Sequence, residues 1–446
     1  MNTSDLKAWL QERKVTEVEC LVPDMTGNAR GKIIPANKFV EEKGMRLPEG
    51  IFVQTVTGDW PDDMSMVDEA DRDMFVRPDI NAAFMVPWAD DPTAQIIHDC
   101  YTEDGELHPL APRSVLKRVI KLYDELGLKP IIAPEVEFFL VKKNTDPDFA
   151  LEPPIGRSGR AETARQSYSI DAVNEFDPLF EDMYDYCEAM DLDVDTLIHE
   201  SGAAQMEVNF LHGEPLNIAD QVFLYKRAMR ENAARHDIYA TFMAKPMENE
   251  PGSSMHMHQS LVDAVTGKNV FSDSEGKHSD LFLHYIAGLQ KYVPAAMVFF
   301  APNVNSYRRI MRDESAPINV QWGVDNRTVG LRVPHASPDA TRIENRFAGA
   351  DCNPYLAIAL SLACGYLGMK EKLQPTEPLI GSAYALPFQL PRSLERGIDL
   401  LNECQPLKDI LGERFVKAYI AVKDKEYETF FKVISSWERE FLLLNV

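Results

Sequence analysis

Two glutamates interrupt an apolar, strand-like run of this chain, IIAPEVEFFLVKK at residues 131–143. Successive side chains of a strand point to opposite faces, so Glu135 and Glu137 share one face, ~7 Å apart. Val136 and Phe138 then face the other way, toward a core. Burying two carboxylates together is costly unless cations meet them. For a single E-x-E pattern a solvated outer face is the simpler interpretation, so the neighbouring segments decide between the two.

Three further segments combine one apolar face with one face rich in carboxylates, imidazoles or guanidinium groups. AAQMEVNF (203–210) aligns Gln205, Glu207 and Asn209, with Glu200 just upstream; SSMHMHQS (253–260) aligns His256 and His258; ATRIENRFAG (340–349) aligns Arg342, Glu344 and Arg346. A solvent face would carry lysine, threonine and serine instead. Carboxylates with an imidazole favour a hard divalent cation such as Mg²⁺ or Mn²⁺ over zinc.

Arginines supply a second part of the pattern. NSYRRI (305–310) contains Arg308 and Arg309, and DNRTVGLRVP (325–334) contains Arg327 and Arg332. The last two are five positions apart, so a regular strand would point them to opposite faces unless a bulge at Gly330 brings them together. Cations beside a carboxylate cluster that binds two metals favour a polyanionic substrate and phosphoryl transfer. The sequence lacks G-x-x-x-x-G-K-[ST], so an ATP site here is not a P-loop.

Length and charge limit the alternatives. A chain of 446 residues exceeds one compact core, and the polar stretch at 101–113 predicts a domain boundary. Helices and strands mix without strict alternation, which predicts an α+β fold. The net charge of −24 argues against nucleic acid and anionic membranes as partners. Six scattered cysteines without C-x-x-C predict reduced thiols and a cytoplasmic location.

Two apolar segments predict buried helices. The run at 355–369 is too short to cross a bilayer, and Asn353 and Pro354 supply a cap and a first-turn residue. From about residue 394 onward the pattern is helical, with apolar residues at helical spacing that we expect in the core. They are Phe415, Tyr419, Val422, Phe430, Val433 and Trp437.

These motifs resemble the glutamine synthetase family from about residue 15 to the C-terminus. EVEFF, TFMAKP, MHMHQS, APNVNSYRR, NRTVGLRVP and RIENRFAGADCNPYL follow one another in the family's order. Within the family, ATFMAKP, APNVNSYRR, AGADCNPYL and GERF look most like the γ-glutamylputrescine synthetases and related γ-glutamyl–amine ligases. The resemblance implies a small N-terminal β-grasp-like domain (1–104) and a large catalytic domain (105–446). It also implies homo-oligomers, usually dodecamers of two rings, with active sites between subunits.

The resemblance also assigns roles to residues. One metal would be held by Glu137, Glu200 and Glu207, and the other by Glu135, His256 and Glu344. His258, Ser260 and Arg342 match positions near ATP. Arg309, Gly252, Arg346 and Tyr168 would contact the substrates, with Tyr168 near the amine. Arg327 and Arg332 match groups around the transferred phosphoryl, and Glu314 would be the catalytic glutamate of a closing loop, displaced by one position because Ser315 stands at the matching place.

The implied reaction is ATP-dependent. The γ-carboxylate of glutamate attacks the terminal phosphate of ATP, and an amine then displaces phosphate from γ-glutamyl phosphate to form an amide. True glutamine synthetases carry F-D-G-S in the N-terminal domain, whereas GIFVQTVTGDW here has no carboxylate between Gly50 and Gly58, although Asp59 or Asp73 would be a substitute. We therefore expect an amine larger than ammonia, in polyamine or monoamine metabolism. Three alternatives stay open: an ordinary glutamine synthetase, a non-catalytic relative, and a kinase of another acid or of a guanidine.

Overall fold

Two sheets organise the part of the chain that the computed structural model describes, residues 3–42, 44–163, 165–312 and 315–446. The strands are β1 (Glu17–Pro23), β2 (Ala29–Pro35), β3 (Met45–Pro48), β4 (Asp73–Met85), β5 (Thr93–Tyr101), β6 (Leu128–Lys142), β7 (Val194–His199), β8 (Gln205–Phe210), β9 (Ile238–Thr241), β10 (Met255–Asp263), β11 (Trp322–Val324), β12 (Leu331–Val333) and β13 (Ile343–Asn345). The helices are α1 (Thr3–Glu12), α2 (Ala36–Glu42), α3 (Pro112–Asp124), α4 (Ile170–Asn174), α5 (Asp177–Ala189), α6 (Pro215–Arg235), α7 (Asp280–Phe300), α8 (Pro354–Glu371), α9 (Leu394–Glu403), α10 (Gln405–Leu411), α11 (Glu413–Phe431) and α12 (Ser436–Leu442). The predicted α+β class is confirmed.

The first sheet has five strands in the order β2-β1-β5-β4-β3. Its β1–β2 hairpin is closed by Asp24, whose Oδ1 accepts hydrogen bonds from the backbone amides of Thr26 and Asn28, both at 2.9 Å. The other oxygen of Asp24 accepts from Arg30 Nε at 2.7 Å. A short polar side chain that binds its own following backbone is the usual way to fix such a turn. The domain boundary after residue 104 stays a prediction.

The second sheet has the strand order β11-β12-β13-β10-β6-β8-β7, with β9 paired to β6. Its four central strands, β13, β10, β6 and β8, contain the segments whose charged faces were read from the sequence. The antiparallel register sets Glu135 opposite His256, Glu137 opposite Glu207, and Glu344 opposite His258. Because paired residues point to the same face, one face of this sheet gathers most of these side chains.

The opposite face of the same strands is the core. Val136 and Phe138 are fully buried, and the Phe138 ring lies 6.3 Å from that of Tyr225 on α6. The predicted buried helix is α8. At its start, Asn353 Oδ1 accepts hydrogen bonds from the backbone amides of Tyr355 and Leu356, and Pro354 occupies the first helical position. Among the described residues, no helix has both the length and the apolar character needed to cross a membrane.

A buried arginine joins the first sheet to helices α3 and α6. Arg113 on α3 donates to Asp99 on β5 at 2.6 Å and to Asp79 on β4 at 2.9 Å. Its Nε and Nη2 also bind both oxygens of Asp220 on α6, at 2.9 and 2.6 Å. Each of the three carboxylates accepts a hydrogen bond from the guanidinium, and Asp99 also pairs with Lys117, so this network stabilises the arrangement of the first sheet against the helices behind the second.

The expectation for the C-terminal stripe is half wrong. Phe415, Tyr419 and Val422 are buried on α11, as predicted. Phe430, Val433 and Trp437 are instead 43%, 63% and 60% exposed. The reason is that α11 ends at Phe431 and the following α12 has no buried residue, so this apolar surface finds no core within its own chain.

Helices α7 and α8 cross closely enough to require glycine. A Cβ at Gly288 would lie 2.3 Å from the carbonyl oxygen of Cys364, and a Cβ at Gly368 would lie 2.2 Å from that of His284. Both neighbours are backbone atoms, which cannot move aside cheaply. The two glycines therefore set the distance between the helices that pack beneath the second sheet.

Gly288→Ala should lower the thermal unfolding midpoint. Overpacking costs about 1–3 kcal/mol, which exceeds the roughly 1 kcal/mol that alanine gains in helix propensity. The matched control is Gly381→Ala, because a Cβ there meets no heavy atom within 4 Å. Circular dichroism of both variants tests this, and a Gly288→Ala midpoint at or above that of the control would contradict the packing argument.

Candidate active site

Five carboxylates and one imidazole converge at the centre of the second sheet. Oxygens of Glu137, Glu200 and Glu207 all lie within 4.8 Å of one another. The same holds for ligand atoms of Glu135, Glu207 and His256. Such spacing fits divalent cations held by several protein ligands at once, and the donor set is the hard, oxygen-rich one that Mg²⁺ and Mn²⁺ prefer.

The second expected set, Glu135, His256 and Glu344, is also brought together. His256 Nδ1 lies 3.3 Å from Glu135 Oε2 and 3.8 Å from Glu344 Oε1. His258, expected near ATP, differs in that its Nε2 lies 3.0 Å from Glu135 Oε1, and it groups with Glu135 and Glu344 as a candidate ligand. Its Nδ1 accepts from Arg342 Nε at 3.2 Å, which assigns the proton to Nε2.

Crowding raises the pKa values on one side of the cluster. Burial, and then the charge of Glu200, raises the pKa of Glu137 to about 8. Burial, and then the charges of the surrounding glutamates, raises the pKa of Glu207 to about 10. Burial also raises the pKa of Glu200. Without cations this side of the cluster therefore holds protons at neutral pH.

The other side of the cluster is already compensated by cationic and hydrogen-bonding partners. Burial alone would raise the pKa of Glu135, but hydrogen bonds from His256 and His258 outweigh it and lower that pKa well below the usual range. Glu344 is likewise held at a pKa of about 2, because Arg346 and then the two histidines outweigh its burial. Burial, with the charge of Arg346, lowers the pKa of His256 to about 4, so its ring is neutral and available as a ligand.

A cavity of about 280 Å³ opens above the cluster, and arginines line its wall. Arg332 donates to Glu344 Oε2 at 2.7 Å and to Asp325 Oδ1 at 2.6 Å, while Arg346 also binds Glu344. Arg327 lines the same cavity, but it lies in a turn before β12 and not on a strand. The two arginines thus meet because the chain turns between them, and the bulge expected at Gly330 is not the reason.

Arg309 is buried against the floor of this cavity. Its guanidinium donates to the carbonyl oxygens of Phe347 and Arg346, at 3.1 and 2.9 Å. A Cβ at Gly252 would lie 2.5 Å from Arg309 Cγ and 2.7 Å from the carbonyl oxygen of Ala244. Only glycine therefore lets the loop at 251–254 lie this close to Arg309, where both line the cavity.

A second cavity of about 730 Å³ adjoins the first. His258, Ser260 and Arg342, the residues expected near ATP, all line it. Glu135 and Asn209 line both cavities and so stand at their junction. A group bound in the larger cavity would therefore meet the carboxylate cluster at Glu135, which belongs to the cluster and lines both cavities.

Two further residues that the resemblance places at the site are Tyr168 and Glu314. Tyr168 lines the first cavity, is 65% exposed and has a positive φ of 63°, which is rare for a non-glycine residue. Glu314 lies outside the described residues, whereas its neighbour Ser315 lines the cavity.

Sequence reasoning left three polar residues out of the site. Ser254 binds Glu137 twice, through its amide at 2.7 Å and its hydroxyl at 2.6 Å. Gln205 Nε2 donates to the Gly252 carbonyl at 3.0 Å. Asn209 Oδ1 is buried, and no described residue donates a hydrogen bond to it. The alternation of β8 had already placed Gln205 and Asn209 on the charged face, so the signal was present.

Comparison with known proteins agrees with this geometry. Residues 109–442 match the family model described as glutamine synthetase, catalytic domain. The γ-glutamylputrescine synthetase PuuA of Escherichia coli K12 is 34% identical over 454 residues, covering 99% of this chain and 95% of that protein. A glutamine synthetase of Pyrococcus abyssi is 32% identical, covering 98% and 95%. A glutamate–isopropylamine ligase of a Pseudomonas species is 31% identical, covering 97% and 96%.

A solved structure agrees as well. The ligand-free structure of GmaS superimposes with a TM-score of 0.84 at 26% identity, covering 99% of this chain and 100% of that one. Family model, full-length relatives and fold all point the same way as the carboxylate cluster. This chain belongs to the glutamine synthetase family.

Proposed function

We propose that this protein is an ATP-dependent ligase that joins the γ-carboxylate of glutamate to a primary amine through γ-glutamyl phosphate. The observation that carries the proposal is the junction at Glu135, where a cavity lined by His258 and Arg342 meets a cavity lined by arginines over a carboxylate cluster. This arrangement suits transfer of a phosphoryl group from a nucleotide in one cavity to an acid in the other.

Two divalent cations, Mg²⁺ or Mn²⁺, fit the cluster. The residues that would hold them are Glu137, Glu200 and Glu207 for one, and Glu135, His256 and Glu344 for the other. Bound cations would supply positive charge to the transferring phosphoryl group and would hold the carboxylates ionised. The raised pKa values of Glu137 and Glu207 support this assignment, because they show how unfavourable the cluster is without such charge.

The arginines have separate tasks in the proposed reaction. Arg327 and Arg332 would neutralise the phosphoryl oxygens, since two anions must approach each other there. Arg309 and Arg346, at the floor of the smaller cavity, would orient the glutamate. Burial lowers the pKa of Arg309, yet arginine keeps its charge in proteins, so it remains a cation at this buried position.

The amine side supports an alkyl substituent. Tyr168, Ile198, Pro251 and Ala316 line the smaller cavity and carry no charge. Neither Asp59 nor Asp73 is among the described residues that line it. Relatives that act on putrescine or isopropylamine by name agree with an amine that brings methylene or methyl groups. An ordinary glutamine synthetase is the second candidate, because a relative of similar identity bears that name.

Catalysis should be visible directly in the products. Incubation with ATP, Mg²⁺, glutamate and a mixture of putrescine, spermidine, isopropylamine and ammonium should give ADP, phosphate and a γ-glutamyl amide of an alkylamine. Mass spectrometry identifies the amide. Glu207→Gln is the catalytic control, since it removes one carboxylate of the cluster while keeping its shape, and it should lose nearly all turnover.

Other products would decide against the proposal in specific ways. Glutamine as the sole product would favour the ordinary glutamine synthetase. A stable phosphorylated acid together with ADP would indicate a kinase, and no turnover with any amine despite metal binding would favour a non-catalytic relative.

Metal binding should release protons. Glu137 and Glu207, with pKa values of about 8 and about 10, hold protons at pH 7 in the metal-free protein, and a cation requires them as carboxylates. Affinity for Mn²⁺ should therefore increase with pH between 6 and 8, by up to about tenfold per unit for each proton released. Titration calorimetry in two buffers of different ionisation enthalpy measures the release, and a buffer-independent heat would contradict it.

We also propose that the chain forms a homo-oligomer, in line with the dodecamers expected for the family. The support is the apolar surface of the C-terminal segment, where Phe431, Trp437 and Leu444 are 73%, 60% and 90% exposed. A surface of this kind is unfavourable in water and is typical of an interface.

Replacing this apolar surface should reduce the mass of the assembly. The variant Phe431→Ser with Trp437→Ser should run as a smaller species in light scattering coupled to size exclusion. Ile380→Ser is the matched control, because Ile380 is 99% exposed but lies far from the C-terminal segment in sequence. Equal masses for all three proteins at every concentration would count against this interface.

A further inference from the structure

The turn at residues 200–204 lies directly after β7 and begins with the candidate metal ligand Glu200. Each of the four backbone amides that follow Glu200 in this turn donates a hydrogen bond to a side-chain oxygen. The amide of Ser201 donates to Glu200 Oε2 at 3.3 Å, and the amide of Gly202 donates to Gln205 Oε1 at 2.9 Å. Those of Ala203 and Ala204 donate to glutamates from two other segments of the chain. A turn held this way has little freedom to move the ligand at its start.

Glu162 contributes the contact that spans the turn. Its Oε2 accepts from the amide of Ala204 at 2.8 Å and lies 3.0 Å from Nε2 of His199, the residue before Glu200. The other ring nitrogen of His199 lies 2.7 Å from the carbonyl oxygen of Glu200. One carboxylate oxygen therefore holds the chain on both sides of the metal ligand.

Two features of the contacts made by Glu162 are energetically unfavourable in themselves. Ala204 has a φ of 54°, a conformation that glycine adopts more readily than alanine. The second oxygen of Glu162, Oε1, is buried and finds no hydrogen-bond partner among the residues that the structure describes, and the side chain is only 10% exposed. A bent backbone and a half-satisfied buried carboxylate persist only where surrounding contacts hold them, and such strain concentrates at functional sites.

Glu162 also belongs to the loop that carries Tyr168. The amide of Tyr168 donates to the carbonyl oxygen of His199 at 2.8 Å, so the same loop is joined twice to the end of β7. The loop that lines the smaller cavity and the turn that carries the metal ligand are thus connected through His199.

We propose that Glu162 is a positioning residue that fixes Glu200 for the metal and links the Tyr168 loop to the metal centre. It does not line either cavity, so it acts through His199 and Ala204. This inference rests on the metal centre of the proposed function. Partners of this kind behind a metal ligand typically change metal affinity by about 10–100-fold when removed.

The test compares Mn²⁺ binding to full-length variants without substrates, followed by electron paramagnetic resonance. Glu162→Leu keeps the volume but accepts no hydrogen bond, and it should weaken Mn²⁺ binding at least tenfold. Glu162→Gln keeps an acceptor without the charge, and neutral hydrogen bonds are about half as strong, so it should weaken binding about threefold. The matched control is Glu152→Leu, because the Glu152 side chain is 66% exposed and its carboxylate forms a surface ion pair with Lys142 at 2.7 Å. This variant should bind Mn²⁺ as the wild type does.

Each outcome of the Mn²⁺-binding experiment either supports the positioning role of Glu162 or contradicts it. Wild-type affinity in Glu162→Leu, with the protein folded, would overturn the positioning role. If Glu162→Leu does not fold, Glu162→Gln decides alone: about threefold weaker binding supports the role and unchanged binding overturns it. A wild-type protein that binds no Mn²⁺ would instead contradict the proposed metal centre itself. In active variants, the KM for the amine should rise more than the KM for ATP, and an equal rise would count against the link to the Tyr168 loop.

Discussion

Repulsion among buried carboxylates is the constraint on which the rest of this structure depends. Oxygens of Glu137, Glu200 and Glu207 lie within 4.8 Å of one another at buried or half-buried positions, where like charges repel more strongly than in bulk water. Glu135 and Glu344 add two more, and only these last two have cationic or hydrogen-bonding partners enough to keep low pKa values. The unequal compensation leaves one half of the cluster in need of external positive charge, which is what a metal-dependent phosphoryl-transfer site requires.

The fold supplies the rigidity that such a cluster needs. Five of the six candidate ligands stand on neighbouring antiparallel strands, so their spacing is fixed by backbone pairing. The sixth, Glu200, lies in the turn directly after β7. Behind them lies an apolar layer, and beneath that the glycine-mediated crossing of α7 and α8. Segments outside the strands bring Arg327 to the wall and the buried Arg309 to the floor of the smaller cavity. The rigid sheet therefore positions the candidate metal ligands, whereas the surrounding loops carry the groups that would select the substrates.

Much of the site could be predicted because strand alternation is a local rule. The spacing of Glu135 and Glu137, and of His256 and His258, was enough to predict that each pair shares a face. The register between neighbouring strands then brings these faces together on one side of the sheet. What failed depends on distant contacts. The position of Arg327 in a turn and the partnership of His258 with Glu135 follow from tertiary packing, and Glu162 lies in an irregular segment without periodicity. Helical spacing likewise could not show that Trp437 leaves the core.

The central claim is that two divalent cations bind at the six converging side chains. Anomalous diffraction from a crystal soaked in Mn²⁺, collected at the manganese edge, tests it most directly. Two peaks are expected, one among Glu137, Glu200 and Glu207 and the other beside His256. A map without peaks there, or with manganese bound only on the outer surface, would contradict the account.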